Sequence, residues 1–276
     1  MDTNEANLEA LVERARAGER PALEALLAAV RDRVYHLALR MLGDPADAQD
    51  AAQEILIKVM THLSTFRGES AFTTWVYRVA ANHLLTARQR RMELVGLTFE
   101  AVAAQLDAGL AASAGHPEAT DPVLIEECKI VCTQGMLMCL DREHRLAFVL
   151  GEILELSSDE AAAIAGAEAA TFRKRLQRAR ERLDEFMSCR CGVANPDNAC
   201  RCARQAPVAA RLGVIDGAQP RFARHPAQAR AAARAIEGLQ SAAEVLRSHP
   251  DYVAPAAFAE GMRRLLDEGR LQPLEE

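Results

Sequence analysis

Residues 140–183 read LDREHRLAFVLGEILELSSDEAAAIAGAEAATFRKRLQRARERL, and two helices separated by a glycine are legible in this stretch. Ser157-Ser158-Asp159-Glu160 is a capping box: the Ser157 hydroxyl accepts from the backbone three residues on, and Glu160 reaches back to the Ser157 amide. The helix that starts there runs through Ile164 and meets Gly166, a residue suited to the turn after a helix. A second helix runs from about Glu168 to Phe186. Phe172, Leu176, Ala179 and Leu183 form one stripe on it, while Arg173, Lys174, Gln177 and Arg178 face outward. A short helix, a glycine turn and a basic helix describe a helix-turn-helix, whose second helix fits the DNA major groove. On this segment alone a solvated amphipathic helix explains the pattern equally well.

Composition extends the helical reading to the whole chain. Half of the 276 residues are hydrophobic, yet aromatics make up only 4% and glycines number 15. Such a balance, rich in Ala, Leu, Arg and Glu, excludes sandwiches and barrels and predicts an all-α protein. Apolar runs break quickly at charges, as Ala147–Leu150 does before Glu152, and the N-terminus is polar and acidic. No membrane insertion and no signal peptide are expected, and the expected location is cytoplasmic. The net charge of −6 argues against a nucleic-acid binder until its distribution is read. Residues 92–127 carry 7 acidic and no basic side chains, whereas 173–182 hold six Arg or Lys against one Glu. Between 188 and 235 eight Arg face only Asp197 and Asp216.

Along the N-terminal third, apolar spacing predicts two helices with a turn at Gly18. A continuation through Val34, Leu37 and Met41 closes at Gly43-Asp44-Pro45, where Asp44 before Pro45 marks a new helix start. That helix presents Asp47, Asp50, Gln53 and Glu54 on one face and Ile55, Val59 and Met60 on another. Ser70 or Thr73 is expected to cap a long helix reaching about Arg91. Periodicity fades over 92–122, which reads as a flexible acidic linker. The helical pattern returns over 122–187. An Arg- and Pro-rich loop and two helices, near 226–248 and 255–268, are expected after it.

Three stretches together resemble one family. DAQDAAQEILIKV (47–59) is similar to region 2.2 of the sigma-70 family in its extracytoplasmic-function (ECF) group, FRGESAFTTWVYRVAANHLLTARQRR (66–91) to regions 2.3 and 2.4, and 140–183 to region 4. They stand in the family order, and the resemblance covers about two thirds of the chain. It implies two helical domains joined by the linker: region 2 over 1–92, linker over 93–122, region 4 over 123–187, and an unassigned, mostly helical extension over 188–276.

By that resemblance, Asp47, Asp50, Gln53 and Glu54 contact RNA polymerase core. The loop at Phe66, Arg67 and Ser70 captures a flipped base of the promoter −10 element, with Asn82 reading a base edge and Arg78, Arg88, Arg90 and Arg91 holding phosphates. Trp75 is read as core. Arg173, Lys174, Gln177 and Arg178 read the −35 element, with Arg175 beside them on phosphate. An anti-sigma factor is a further expected partner. No side chain is expected to be catalytic, and no cofactor is required. The chain departs from the family pattern at Ala161, Ala165, Glu168 and Phe172, where the Phe would refill volume vacated by the alanines.

Seven cysteines fall into two sets. Cys189, Cys191, Cys200 and Cys202 lie within 14 residues around the turn formers Gly192 and Asn195-Pro196-Asp197-Asn198. Four thiols so placed suit zinc or another thiophilic ion, such as Cu(I) or cadmium, and equally a thiol–disulfide switch. Cys128, Cys132 and Cys139 sit at helical spacing and are read as small buried hydrophobes. His225 and His249 each precede a proline and are read as loop residues. The competing reading of the whole chain is a stand-alone, metal-responsive helix-turn-helix regulator. The polar face at 47–54 argues against it, because an autonomous regulator has no use for a polymerase-docking face. A thiol redox enzyme lacks the expected C-x-x-C within a βαβ pattern.

Overall fold

The protein is described here by a computed structural model, which covers residues 3–223, 241–250, 252 and 254. In chain order the helices are α1 (Thr3–Arg16), α2 (Arg20–Leu42), α3 (Pro45–Thr61), α4 (Phe72–Thr86), α5 (Arg91–Leu94), α6 (Phe99–Ser113), α7 (Pro122–Met138), α8 (Arg142–Phe148), α9 (Ser158–Ala165), α10 (Ala169–Arg190), α11 (Cys202–Arg211) and α12 (Ala242–Arg247). A wide π turn at Val149–Ile153 continues α8. Among the described residues the only extended pairing is an isolated bridge between Cys191 and Cys200. The all-α expectation holds.

The chain divides into two compact units. The first comprises 3–89, 157–172, 252 and 254, and the second 90–156, 173–223 and 241–250. In the first unit α2 packs on α1, α3 and α4, and α9 packs on α4. Leu26, Leu37, Ile55, Leu56 and Phe72 are wholly buried between these helices. Gly18 and Gly43 take φ of +85° and +71°, and the Gly43 amide donates to the Leu39 carbonyl at 2.9 Å, ending α2. Asp44 then caps α3, its carboxylate accepting from the Ala46 and Asp47 amides at 2.9 and 3.0 Å. Arg40 is buried with its guanidinium 5.2 Å from the Tyr252 ring centre, so a residue of the extension shields a cation of α2.

The helix expected to reach Arg91 from a Ser70 or Thr73 cap is shorter and capped differently. α4 begins after Ala71 without a side-chain cap and ends at Thr86, whose hydroxyl donates to the Asn82 carbonyl at 2.6 Å. Such back-bonding competes with helix propagation. The chain restarts at α5, where the Glu93 carboxylate accepts from the Arg90 amide at 3.2 Å. An 18-residue window within 72–113 has a mean hydropathy of 1.3. Breaks at 87–90 and 95–98 divide that stretch among α4, α5 and α6, each too short to cross a bilayer.

The second unit is built around α7. Glu126, Glu127 and Lys129 are almost completely buried on it, and such charges require partners. Lys129 Nζ lies 2.8 Å from Glu126 Oε1 and donates to Ser248 Oγ at 3.2 Å. Glu127 accepts the backbone amides of Arg221, Phe222 and Ala223 at 2.8, 2.9 and 2.8 Å. Thr133 bonds His249 at 2.9 Å, so that histidine, in the loop after α12 as expected, is buried. A common apolar cluster joins Leu137 and Phe148 to Leu183 and Met187 of α10 and to Val245 and Leu246 of α12. Cys191, Val193 and Ala194 pack against this cluster, and Ala206 and Ile215 form a second one with Cys128 of α7. Of the first helix expected in the extension, near 226–248, the described part is helical at Ala242–Arg247; the rest of it, the second helix and His225 lie outside the described residues. Within the expected linker, Thr98 caps the 15-residue helix α6, accepting from Ala101 N at 3.2 Å.

Candidate nucleic-acid interface

Three surfaces carry the residues singled out in the sequence. On α3, Asp50 and Glu54 are exposed one turn apart, Gln53 is half-buried, and Asp47 is buried near the capped end. The Glu54 carboxylate lies 3.4 Å from His83 Nε2, while His83 Nδ1 lies 3.0 Å from Lys58 Nζ. The acidic face is therefore continuous with a buried histidine of α4.

The loop joining α3 to α4 is held from behind. Arg16 of α1 donates to the carbonyls of Leu63, Ser64 and Phe66, and its guanidinium lies 5.9 Å from the Phe66 ring centre. The Leu63 carbonyl also accepts the Phe66 amide at 3.2 Å, and the arginine gathers it with the other two carbonyls of the turn. Gly68 takes φ +71°, which lets the loop turn. Phe66 is buried, edge-on to Phe72 at 5.4 Å and 5.7 Å from Trp75. Its ring is consequently a wall of the loop's foundation and is not presented to solvent. Arg67 is exposed and Ser70 half-buried, donating to the Ala71 carbonyl at 3.3 Å. Trp75, read as core, stacks on Phe72 at 5.7 Å but is only half-buried. Arg78 and Asn82 stand exposed one helical turn apart on α4; Arg88 and Arg91 are exposed and Arg90 is half-buried.

In the third surface the capping box is present as read: Ser157 Oγ accepts from Glu160 N at 3.3 Å and Glu160 accepts from Ser157 N at 3.3 Å. Gly166 turns the chain at φ +62°, and its amide donates to the Ala162 carbonyl. Ala161 and Phe172 are both wholly buried. On α10, Arg173, Lys174, Gln177 and Arg178 are exposed. Gln177 donates to Glu181 at 2.8 Å. Arg175 is committed to Glu143 at 2.5 Å, and Arg180 is paired with Glu152. Among the described residues Arg173, Lys174 and Arg178 carry no ion pair, so their charge is available to an anionic partner.

The cysteines regroup. Cys189 is exposed and lines a cleft with Phe99, Asp107 and Phe186. Cys191, Cys200 and Cys202 instead gather with Cys128 and Cys132 of α7, close enough that each thiolate would disfavour the next. Burial, reinforced by these neighbours, pushes Cys128 up to about 12 and raises Cys132 and Cys202 far above an ordinary thiol. All seven thiols are free. Among the described residues no three Cys, His, Asp or Glu side chains stand in an arrangement that would hold a metal ion. Sequence reading missed Arg16, whose distant target carbonyls leave no local signal, and the part played by Cys128 and Cys132.

Residues 26–93 match Sigma-70 region 2. The RNA polymerase sigma-H factor of Pseudomonas aeruginosa is 33% identical over 180 residues, 64% of this chain and 92% of that protein. The ECF RNA polymerase sigma-E factor of Escherichia coli K12 is 34% identical over 179 residues, 63% of this chain and 91% of that protein. The sigma factor RpoE, co-crystallised with the anti-sigma factor NepR from Bartonella quintana, gives a TM-score of 0.39 at 21% identity over 59% of this chain and 94% of that one. An all-helical chain with a region 2 and a capped helix-turn-helix is a sigma-class transcription factor. The chain belongs to the sigma-70 family and is an ECF-type sigma factor for RNA polymerase.

Proposed function

We propose that the chain directs RNA polymerase core to promoters by reading a −10 element with Arg67, Ser70, Arg78 and Asn82 and a −35 element with Arg173, Lys174, Gln177 and Arg178. Asp50, Gln53 and Glu54 would dock the core enzyme, their acidity fixing register on a basic partner surface. The observation that carries this reading is the contrast along α10, where Arg175 and Arg180 are spent on carboxylates while Arg173, Lys174 and Arg178 are not. Unspent cations on a helix that follows a capped turn suit the major groove and its phosphates. Arg88, Arg90 and Arg91 would hold phosphates beside the −10 site. The protein would act in the cytoplasm as a regulatory subunit and not as an enzyme, with an anti-sigma factor as a further partner.

Control through the C-terminal cysteines belongs to the same proposal, by thiol oxidation or by a thiophilic metal such as zinc. The convergence of five thiols from α7 and the extension supports a control point there. Metal content of the purified protein, compared with Cys189→Ser and Cys202→Ser, decides the metal form: negligible metal in all three would remove it. The function itself is tested by run-off transcription with core polymerase on promoter templates. Initiation that depends on the protein is expected, and core binding without initiation on any template would overturn the reading.

A further inference from the structure

The acidic segment between the two DNA-reading regions is tied down, and by residues at the start of the extension. Arg190 Nη1 donates to both Asp107 carboxylate oxygens at 2.7 Å. Arg204 Nε donates to Glu118 at 2.7 Å, and the Ala119 amide donates to the Ala203 carbonyl at 2.8 Å. The buried Gln205 amide donates to the Leu106 carbonyl at 2.8 Å. Gly109 faces that same Gln205 so closely that a Cβ would overlap its side-chain oxygen.

Apolar packing is concentrated at one end of this contact, where Phe99 lies 5.2 Å from Phe186 of α10. Of the fifteen residues of α6 only Val102 and Gly109 are buried. A cavity of 420 Å³, lined by Leu106, Cys128, Cys132, Val208 and Ile215, remains where α6, α7 and α11 meet. Polar ties across a seam that is not closely packed make a contact that can open at modest cost.

We propose that Arg190, Arg204 and Gln205 form an intramolecular clamp that holds the acidic segment 98–119 folded against α11, and that a basic polymerase surface opens it by taking Asp107 and Glu118 in their place. The second half rests on the sigma-factor reading. Charge supports it: residues 92–127 hold seven carboxylates and no basic side chain, so only a basic surface can compete with the two arginines.

Hydrogen exchange of the α6 amides in the full-length protein tests the clamp. The sharpest variant is Gly109→Ala, because alanine raises intrinsic helix stability while its methyl displaces the Gln205 amide. Exchange in α6 about fivefold faster than wild type is expected, the loss that follows one buried hydrogen bond. Slower exchange would mean that α6 orders itself, and would overturn the clamp. Arg190→Asp should also speed exchange, and the swapped pair Arg190→Asp with Asp107→Arg should restore it; no effect of either would count equally against the proposal. With core polymerase added, wild-type α6 should lose protection. A complex formed with α6 still protected would overturn release alone, whereas failure to form any complex would overturn the sigma-factor reading while the free-chain exchange still reports on the clamp.

Discussion

The Arg142 guanidinium holds both oxygens of the Glu93 carboxylate, at 2.7 and 2.6 Å, across 49 residues of chain. Arg145 completes the group from 3.5 Å, and it also donates to the carbonyls of Leu137 and Leu140 at 3.0 and 2.7 Å. Removing Glu93 would take from the buried Arg145 its hydrogen-bonded counter-charge and leave only the more distant Asp141. Glu93→Ala should therefore destabilise the second unit by about 3 kcal/mol, read as a lower urea midpoint for that transition. Burial pushes the Glu93 carboxyl up, but the hydrogen bonds and charge of Arg142 outweigh it, and the net shift is downward. The stabilisation is present above the ordinary value of 4.5 and is lost as pH falls through the lowered one. Glu93→Gln should flatten the acid side of the stability profile; an unchanged profile would refute this assignment.

Lys129 and Glu126 make a buried pair on α7. Lys129→Met alone should cost about 3 to 5 kcal/mol, because Glu126 remains buried with no partner. The double variant Lys129→Met with Glu126→Leu should recover most of it. Chemical denaturation of the four proteins of this cycle measures the coupling, and additive effects would show that the pair is not acting as one.

Alkylation by iodoacetamide near neutral pH, followed by mass spectrometry, should label Cys189 first. Its thiol is exposed, whereas Cys128 is held as a thiol by a value near 12 and burial raises Cys132 and Cys202 well above an ordinary thiol. Rapid labelling of Cys132 in the folded protein would contradict the burial described.

Two arginines three residues apart on α10 should behave differently. Arg178→Ala is expected to reduce promoter-directed initiation about tenfold, the order of one lost base or phosphate contact. Arg175→Ala should change it little, since Arg175 is already bound to Glu143. Run-off transcription of both variants at one salt concentration gives the ratio, and equal losses would mean that Arg175 leaves Glu143 on DNA.

Arg16→Ala should raise hydrogen exchange in residues 66–71 and weaken −10 recognition without unfolding α2 to α4. Lysine should restore it only in part, because an ammonium cannot reach three carbonyls with a planar fork.

Much of this was legible beforehand because it is written in local rules. The Asp44 cap, the Ser157–Glu160 box, the Gly166 turn and the outward row on α10 each depend on neighbours within four residues. Arg16 and Glu93 were not legible, since their partners lie 47 to 52 residues away and any exposed Arg or Glu would look the same. From its place in the loop Phe66 reads as part of the base-capturing surface, but Phe72 and Trp75, six and nine residues on, claim its ring. The linker read as unstructured because its helix buries too little to show a periodic face; contacts from Arg190, Arg204 and Gln205 order it instead. Cys128 and Cys132 read as packing, and so they are, but the partners they meet come from a turn more than fifty residues away.

α10 runs from Ala169 to Arg190 without a break. The Cys191 amide continues its pattern onto the Met187 carbonyl at 2.8 Å, and the Asn195 and Asn198 side chains bind the Ser188 carbonyl at 3.0 and 2.8 Å. The cysteine turn is thereby stitched to one end of a stiff shaft whose other end, about 25 Å away, bears Arg173 and Lys174. Torque applied at the turn has no hinge along that shaft in which to dissipate. Whatever twists the thiols also rotates Arg173 and Lys174, and each residue inserted between them would turn one end against the other by about 100°.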